Sequence, residues 1–581
     1  MNKFKHIVLG GHTQRKEYLH KLYTDRQVYI SSMSSSSQPI EEEKIFGYRD
    51  ITFDFEGTGY RTMERMVMFV YIPADRFANT GDIGMNATAY EDYILRVLSA
   101  SVNELCQEYK NDHKSNREKP DFSLQSVNSV VLRRNGCIYM ADRNVFRIRI
   151  HYVAPLINAT YLNGKSMCKS VKAIMDLICN KLETINQSDL AEHIRLYAQQ
   201  NEIREYIKAN DFAAFVGNNC ILPRQGDTEE PMANAIPFLS PKEQEIKINL
   251  SDGTTISGMG IKKGITVITG GGYSGKSTLL DSLEAGIYNH IRGDGREYVI
   301  TDETATKIYA EDGRYIENTD ISPFFSYMPG NVSVKNFSTD RASGSVSQAT
   351  GIIEAIYGGC KMLMIDEDTS ATNFMIRDEH MRLLVEKEPI IPFTDRIVEI
   401  KKMGISTILV IGGSGEYLKY ADSVILMEDY IAKDKTAYIN ERIKPILPDK
   451  KAEIDIKPCV FMQEKSFVTE KNEAEFFYSE CVKIENARYI KIDNYVSDIT
   501  KITSVITDEQ INSLTYLLEK IMSDKGTDTD LLARCKRVTA DFLEKTQKTT
   551  LSFSHQYELW LEQVRVIDLI MVACRMRTLD S

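Results

Sequence analysis

The chain has 581 residues, 43% hydrophobic and 26% charged, which is too long for one core and too apolar for a disordered or fibrous chain. A formal net charge of −11 argues against a surface that is basic throughout, so any nucleic-acid contact must come from a local patch. Ten cysteines without a C-x-x-C pair suggest neither a zinc site nor a disulfide framework, no apolar run is long enough to span a bilayer, and the first residues lack a signal-peptide core, so a reducing cytoplasm is the expected setting.

Residues 1–45 read as a flexible arm, basic and aromatic at first and then serine-rich from Ser31 to Ser37. Residues 46–240 read as an α+β domain. Met66 to Ile72 has the composition of a buried strand, and Tyr90 to Tyr109 has helical spacing. Ser129 to Tyr152 reads as strands joined by a turn at Arg134-Asn135-Gly136, and 167–209 is mostly helical. Pro223, Pro231, Pro237 and Pro241 mark a domain junction. Residues 241–440 carry β segments at 265–269, 297–301, 361–365, 406–411 and 423–427 with helices between several of them, the order of an α/β domain whose sheet is largely parallel. Residues 441–581 open on a charged stretch around Pro445 to Lys451, pass a short strand at Arg488 to Ile492, and are otherwise helical. They end in an amphipathic helix through Trp560, Val564, Ile567 and Met571.

Gly270, Gly271, Gly272, Tyr273, Ser274, Gly275, Lys276 and Ser277, with Thr278 after them, match G-x-x-x-x-G-K-[ST] in full. The strand before and the helix after are the context that motif needs. Glycines let backbone N–H groups curl around phosphate oxygens, and the helix aims its partly positive N-terminus at the same anion. Lys276 reaches the outer phosphates, and Ser277 can place its hydroxyl on Mg²⁺. A second strand, Lys361 to Ile365, ends in Asp366-Glu367-Asp368. Asp366 is the expected metal partner of Ser277, and Glu367 the expected group for orienting and deprotonating the attacking water. Between the motifs, Ser343, Gly344, Ser345 and Gln348 open an apolar-spaced helix. Such a start makes either a second anion site or a plain N-cap.

Together these residues resemble the ABC class of ATPases, and in sharper form the soluble family described as predicted ATPases of the ABC class. The resemblance rests on Gly270 to Leu280, Gly293-Asp-Gly-Arg-Glu297, Glu311-Asp-Gly-Arg314, Ala342-Ser-Gly-Ser345 and Asp366 to Asp378, with Phe215-Val216 and Ile221-Leu-Pro-Arg224 leading in. It is dense from about 210 to 430, weaker over 46–210 and faint after 440. It implies an ABC-type P-loop core, ATP and Mg²⁺ binding, and a homodimer in which each nucleotide is held by one copy and capped by the other. By position, Ser343, Gly344 and Ser345 take the signature role, and Ser370, Ala371, Thr372 and Asn373 take the D-loop role. Gly412-Gly413-Ser414-Gly415 stands where transporter ATPases usually carry a switch histidine, which implies slow turnover. Ser414 is the substitute, and Asp320 stands roughly where a glutamine loop would lie.

Glu311 to Arg314 reads as a hairpin-like turn between Lys307-Ile-Tyr309 and Tyr315-Ile316, its charges either on the surface or functional. Arg377 and Asp378 are placed to pair with each other or across a dimer. For a partner, Arg133, Arg134, Arg147 and Arg149 draw attention. Arg147, Arg149 and His151 alternate with Phe146, Ile148 and Ile150, so one strand face is basic. That face suits a grip on RNA or DNA phosphates, and equally the solvated side of a half-buried strand. Lys3, Lys5, His6, Arg15 and Lys16 of the arm are equally ambiguous. The leading expectation is a dimeric, ATP-gated ATPase acting on nucleic acid; the alternative is an ATP-gated protein-interaction scaffold with little hydrolysis.

Overall fold

The computed structural model of the chain describes residues 5, 14–15, 45–57, 65–80, 83–111, 118–157, 161–385, 387–446, 482–486, 488–492, 495–523, 530–540, 542–545 and 559–576. Most of the expected arm and of the charged stretch at 445–451 lies outside these residues. The chain divides into two compact units: Met1–Tyr197 with Asp541–Gln563, and Ala198–Ala540 with Val564–Ser581. This differs from the four segments expected. Residues 488–540 and 564–576 fall in the same unit as the phosphate loop, and residues 559–563 fall in the first unit.

The first unit is an antiparallel sheet under two helices. Its strands are β1 (Phe46–Tyr48), β2 (Ile51–Gly57), β3 (Arg65–Pro73), β4 (Asp121–Ser123), β5 (Cys137–Met140) and β6 (Val145–Val153). The spatial order is β1-β2-β3-β6-β4, with β5 also on β6. Met68 faces Ile150 and Val70 faces Ile148 across the central pair. This apolar face packs against Tyr90, Ile94, Leu95 and Leu98 of helix α1 (Ile83–Lys110) and Val171, Ile174 and Ile178 of helix α2 (Gly164–Glu183).

The alternation along β6 is as expected, but its second face is not a solvated strip. Arg149 pairs with Phe69, Arg147 with Tyr71 and His151 with Val67 in register. Phe69 and Val67 are buried, as are Arg147 and Arg149. The segment around Trp560 covers this side: the Trp560 ring stacks on His151 at 3.8 Å. Leu561 and Asn135 exchange hydrogen bonds, and the Gln563 N–H donates to Arg133 O at 2.9 Å.

In the second unit, the part of helix α3 (Gln187–Ala209) after Tyr197 packs Ile203 and Ile207 against Phe215, Ile248 and Ile300. Those three lie on an antiparallel sheet of β7 (Phe212–Gly217), β8 (Glu245–Asn249), β9 (Thr255–Lys262) and a later strand, β11 (Val299–Thr301), ordered β8-β9-β7-β11. The 297–301 segment therefore does not join the parallel sheet as expected: Ala214 pairs antiparallel with Thr301. An apolar run announces a strand but not the edge it will find.

The main sheet comprises β10 (Ile265–Gly270), β12 (Thr306–Ile308), β15 (Met362–Asp366), β16 (Ser406–Ile411), β17 (Ser423–Glu428) and β18 (Ile431–Asp434). Its order is β12-β15-β16-β10-β17-β18, parallel except for the edge strand β18. The four inner strands are rich in Val, Ile, Leu and Met, as burial on both faces requires. Glu311 to Arg314 is not a hairpin. β12 pairs with β15, while β13 (Ile316–Thr319) pairs with β14 (Phe337–Thr339). Arg314 O instead accepts the Ala342 N–H at 2.8 Å, which ties this turn to the start of helix α5 (Gly344–Tyr357).

The last described part holds a small antiparallel sheet, β19 (Val482–Asn486), β20 (Tyr489–Ile492) and β21 (Tyr495–Asp498), followed by helices α7 (Asp508–Ser523), α8 (Leu531–Thr539) and α9 (Val566–Ala573). Helix α4 (Lys276–Ala285) follows the phosphate loop, and α6 (Phe393–Lys402) precedes β16. α9 begins after Trp560 and Val564, so the expected amphipathic helix is shorter, and it is buried on all sides against α5, α7 and α8. Among the described residues no helix is long and apolar enough to cross a membrane.

Candidate nucleotide site

The phosphate loop leaves β10 at the middle of the parallel sheet. Gly270 has φ +147° and Gly275 φ +98°. A Cβ on Gly270 would fall 2.2 Å from Met427 O, so the strand end and its neighbour β17 admit only glycine there. Nothing lies within 4 Å of where Gly271 and Gly272 would carry a Cβ, which leaves that rim of the loop open. Tyr273 also takes a left-handed conformation, φ +58°, and its side chain is 97% exposed. Lys276, first residue of α4, donates from Nζ to Gly270 O (3.0 Å) and Gly271 O (2.7 Å), while Ser274 Oγ donates to Gly271 O (2.8 Å). The lysine thus curls over the loop it belongs to. Thr278 lies one turn into the helix, where its backbone N–H joins the N-terminal set.

β15 delivers the carboxylates. Asp366 is buried, and its Oδ2 accepts from Ser277 Oγ at 3.1 Å. A neutral hydroxyl beside an anionic carboxylate, both hard oxygen donors, fits Mg²⁺, which completes its shell with phosphate oxygens and water. Among the described residues no group of three or more His, Cys, Asp or Glu could hold a metal by itself. Glu367 follows and is only half-buried. Its Oε2 accepts the N–H groups of Gly412 (2.6 Å) and Gly413 (2.9 Å), in the loop after β16. Sequence reasoning missed these partners, since backbone donors have no side-chain signature.

Helix α5 and the loop after Glu367 are locked together in one chain. Ser345 Oγ donates to Asn373 Oδ1 (2.7 Å), Gln348 Nε2 to Ser370 Oγ (2.8 Å), and the Ala371 N–H to Gln348 Oε1 (2.9 Å). Gly344, Ser345 and Gln348 are buried, and Ser343 is exposed at the helix entry. Thr372 and Asn373 are exposed. Ser414 Oγ is buried and, among the described residues, has no hydrogen-bond partner. Asp320 Oδ1 accepts the Ser322 N–H at 2.9 Å, a turn cap, which gives it local work outside the set just described. Tyr417 donates to Met375 O (2.5 Å); burial, with the carboxylates of Glu367 and Glu416 nearby, pushes its phenol well up and keeps it a donor.

Two other motifs prove structural. Arg296 grips Asp294 with Nε (2.8 Å) and Nη2 (3.0 Å), and Arg224 Nη1 donates to Asp294 O (2.7 Å). Burial alone would raise Asp294, but His290 and Arg296 hold it far below the usual carboxylate range. Arg377 pairs with Glu388 at 2.6 Å, while Asp378 caps a short helix by accepting the Met381 N–H. Of the two pairings expected, that of Arg377 with Asp378 within one chain is replaced by these local bonds.

The basic residues proposed for nucleic acid are not a surface patch. Arg134 is fully buried, bound to Asp92 and to Glu562 at 2.5 and 2.6 Å. Arg147 lies over the Phe69 ring at 4.8 Å. Arg133 approaches Glu91 at 3.6 Å and stays partly exposed. Burial, then the Arg149 charge, pushes His151 well below its ordinary value, so it is neutral.

Residues 186–459 match the family model of the ABC_ATPase P-loop domain. An uncharacterized protein of Methanocaldococcus jannaschii, MJ1628, is 30% identical over 289 residues, which is 47% of this chain and 62% of that protein. The chain thus spans somewhat under two thirds of the length of this curated relative. Two solved structures are similar at lower identity. One is cbiO1 from Clostridium perfringens, part of the ABC transporter complex cbiONQ (16% identity, 41% of this chain and 93% of that one, TM-score 0.25). The other is the ADP conformation of MJ1267, an ATP-binding cassette of an ABC transporter (14%, 39% and 93%, TM-score 0.24).

Proposed function

We propose that this chain, whose residues 186–459 match the ABC_ATPase P-loop domain, binds ATP with Mg²⁺ on Gly270 to Thr278 and hydrolyses it slowly at the interface of a homodimer. The supporting observation is the Ser277–Asp366 contact of 3.1 Å with Glu367 one residue on, where the first turn of α4 meets the end of β15. When bound, Mg²⁺ draws charge from the terminal phosphates. Lys276 leaves Gly270 O and Gly271 O for those phosphates, and Glu367 orients the attacking water. Ser343, exposed at the entry of α5, is the group offered to the second copy. A cytoplasmic setting agrees with the free, buried state of the described cysteines.

Burial of Arg134, Arg147 and Arg149 removes the main support for RNA or DNA as the partner. The reading retained is an ATP-gated switch that closes on a protein partner. The test combines two variants. Lys276→Ala is expected to weaken ATP binding roughly tenfold to a hundredfold, as loss of a charge-assisted contact implies. Glu367→Gln is expected to keep ATP affinity and lose hydrolysis, measured by phosphate release. Normal hydrolysis in Glu367→Gln would overturn the assignment of Glu367.

A further inference from the structure

Among the described residues, the Glu367 carboxylate is held by backbone N–H groups. Both amides fall on one oxygen, Oε2, and among the described residues no hydrogen bond falls on Oε1. The donors sit in the loop after β16, and β16 lies between β15, which ends in Asp366, and β10, which leads into the phosphate loop. The loop is thus anchored by the two strands that carry the chemistry.

The two glycines do not answer to conformation or crowding. Neither has a φ in the left-handed region. An added Cβ would meet only the Glu367 carboxylate, at 3.9 Å from Gly412 and 3.8 Å from Gly413, which is ordinary contact. What these positions supply is a pair of N–H groups aimed at one carboxylate oxygen.

We propose that the amides of Gly412 and Gly413 are the positioning device for Glu367, doing with backbone what a switch side chain would otherwise do. The proposal rests on the reading of Glu367 as the water-orienting group. In the step served, a water oxygen bonds to the γ-phosphorus of ATP. The bond from that phosphorus to the bridging oxygen breaks, and its electron pair leaves on ADP. The water proton passes to Glu367 Oε1 and then to the released phosphate. Two bonds on Oε2 fix the carboxylate while leaving Oε1 open to the water.

Alanine keeps the N–H and proline removes it. Gly412→Ala and Gly413→Ala, which keep the N–H, are expected to lose much less kcat than the proline variant at the same position. Gly412→Pro and Gly413→Pro should lose about tenfold to a hundredfold in kcat with KM for ATP nearly unchanged, the scale typical of lost orienting bonds. Amide hydrogen exchange gives an arm that does not depend on the proline variants folding: Glu367→Ala should raise exchange at 412 and 413 selectively. Parent-like kcat in the proline variants, equal losses in the alanine variants, or unchanged exchange in Glu367→Ala would each overturn the proposal. Glu367→Gln separates the two layers: if it is inactive while the proline variants are normal, only the positioning idea falls.

Discussion

Gly270 is fixed by two independent facts, its φ of +147° and the 2.2 Å that would separate a Cβ from Met427 O. Gly270→Ala is therefore expected to cost at least about 2 kcal/mol and to abolish nucleotide binding, while Gly272→Ala, with open space around it, leaves the melting temperature unchanged. Differential scanning fluorimetry with and without ATP reads both. Glu519 gives a second prediction at this scale. Burial pushes its carboxyl up to about 7, with Lys520 offsetting only part. Its folded value lies above the unfolded one near 4.5, so its contribution to stability is complete below 4.5 and is lost as pH rises through about 7. Glu519→Gln should flatten the decline in urea midpoint between about pH 5 and pH 8, at most about 1.4 kcal/mol per pH unit. The phosphate loop was legible because its residues are contiguous; nothing in the neighbours of Glu519 announced burial.

Helix α5 shows how elements share the work. Its N-terminal turn is bonded to the 370–373 loop, and its far end carries Glu354 into a buried charge cluster. Glu354 pairs with Arg314, and Arg575, just beyond α9, reaches Glu311 at 2.5 Å and Glu354 at 3.8 Å. Burial would raise Glu311, yet Arg575 and Arg314 hold it below the ordinary carboxylate range. Arg575→Ala leaves two buried carboxylates to one cation and is expected to cost about 3–5 kcal/mol in urea unfolding. Adding Glu311→Gln should recover part of that loss. The sequence flagged Glu311 and Arg314 as a motif, but Arg575 stands 264 positions from Glu311 and carries no local sign of the pairing.

At the scale of the molecule the prediction concerns assembly. Glu367→Gln with ATP and Mg²⁺ is expected to elute at about twice 66.1 kDa by light scattering, and Lys276→Ala at the monomer mass. A monomer mass for ATP-loaded Glu367→Gln would remove the dimer from the reading. The sequence by itself determined the P-loop core, because phosphate loop, carboxylate strand and parallel-sheet runs are short motifs whose chemistry is local. Tertiary structure alone decided which strand alternations face water, since Trp560 stacks on His151 of β6 from more than 400 positions away. It alone also decided what holds Glu367, because peptide N–H groups are present at nearly every residue and only their direction in space makes two of them a site.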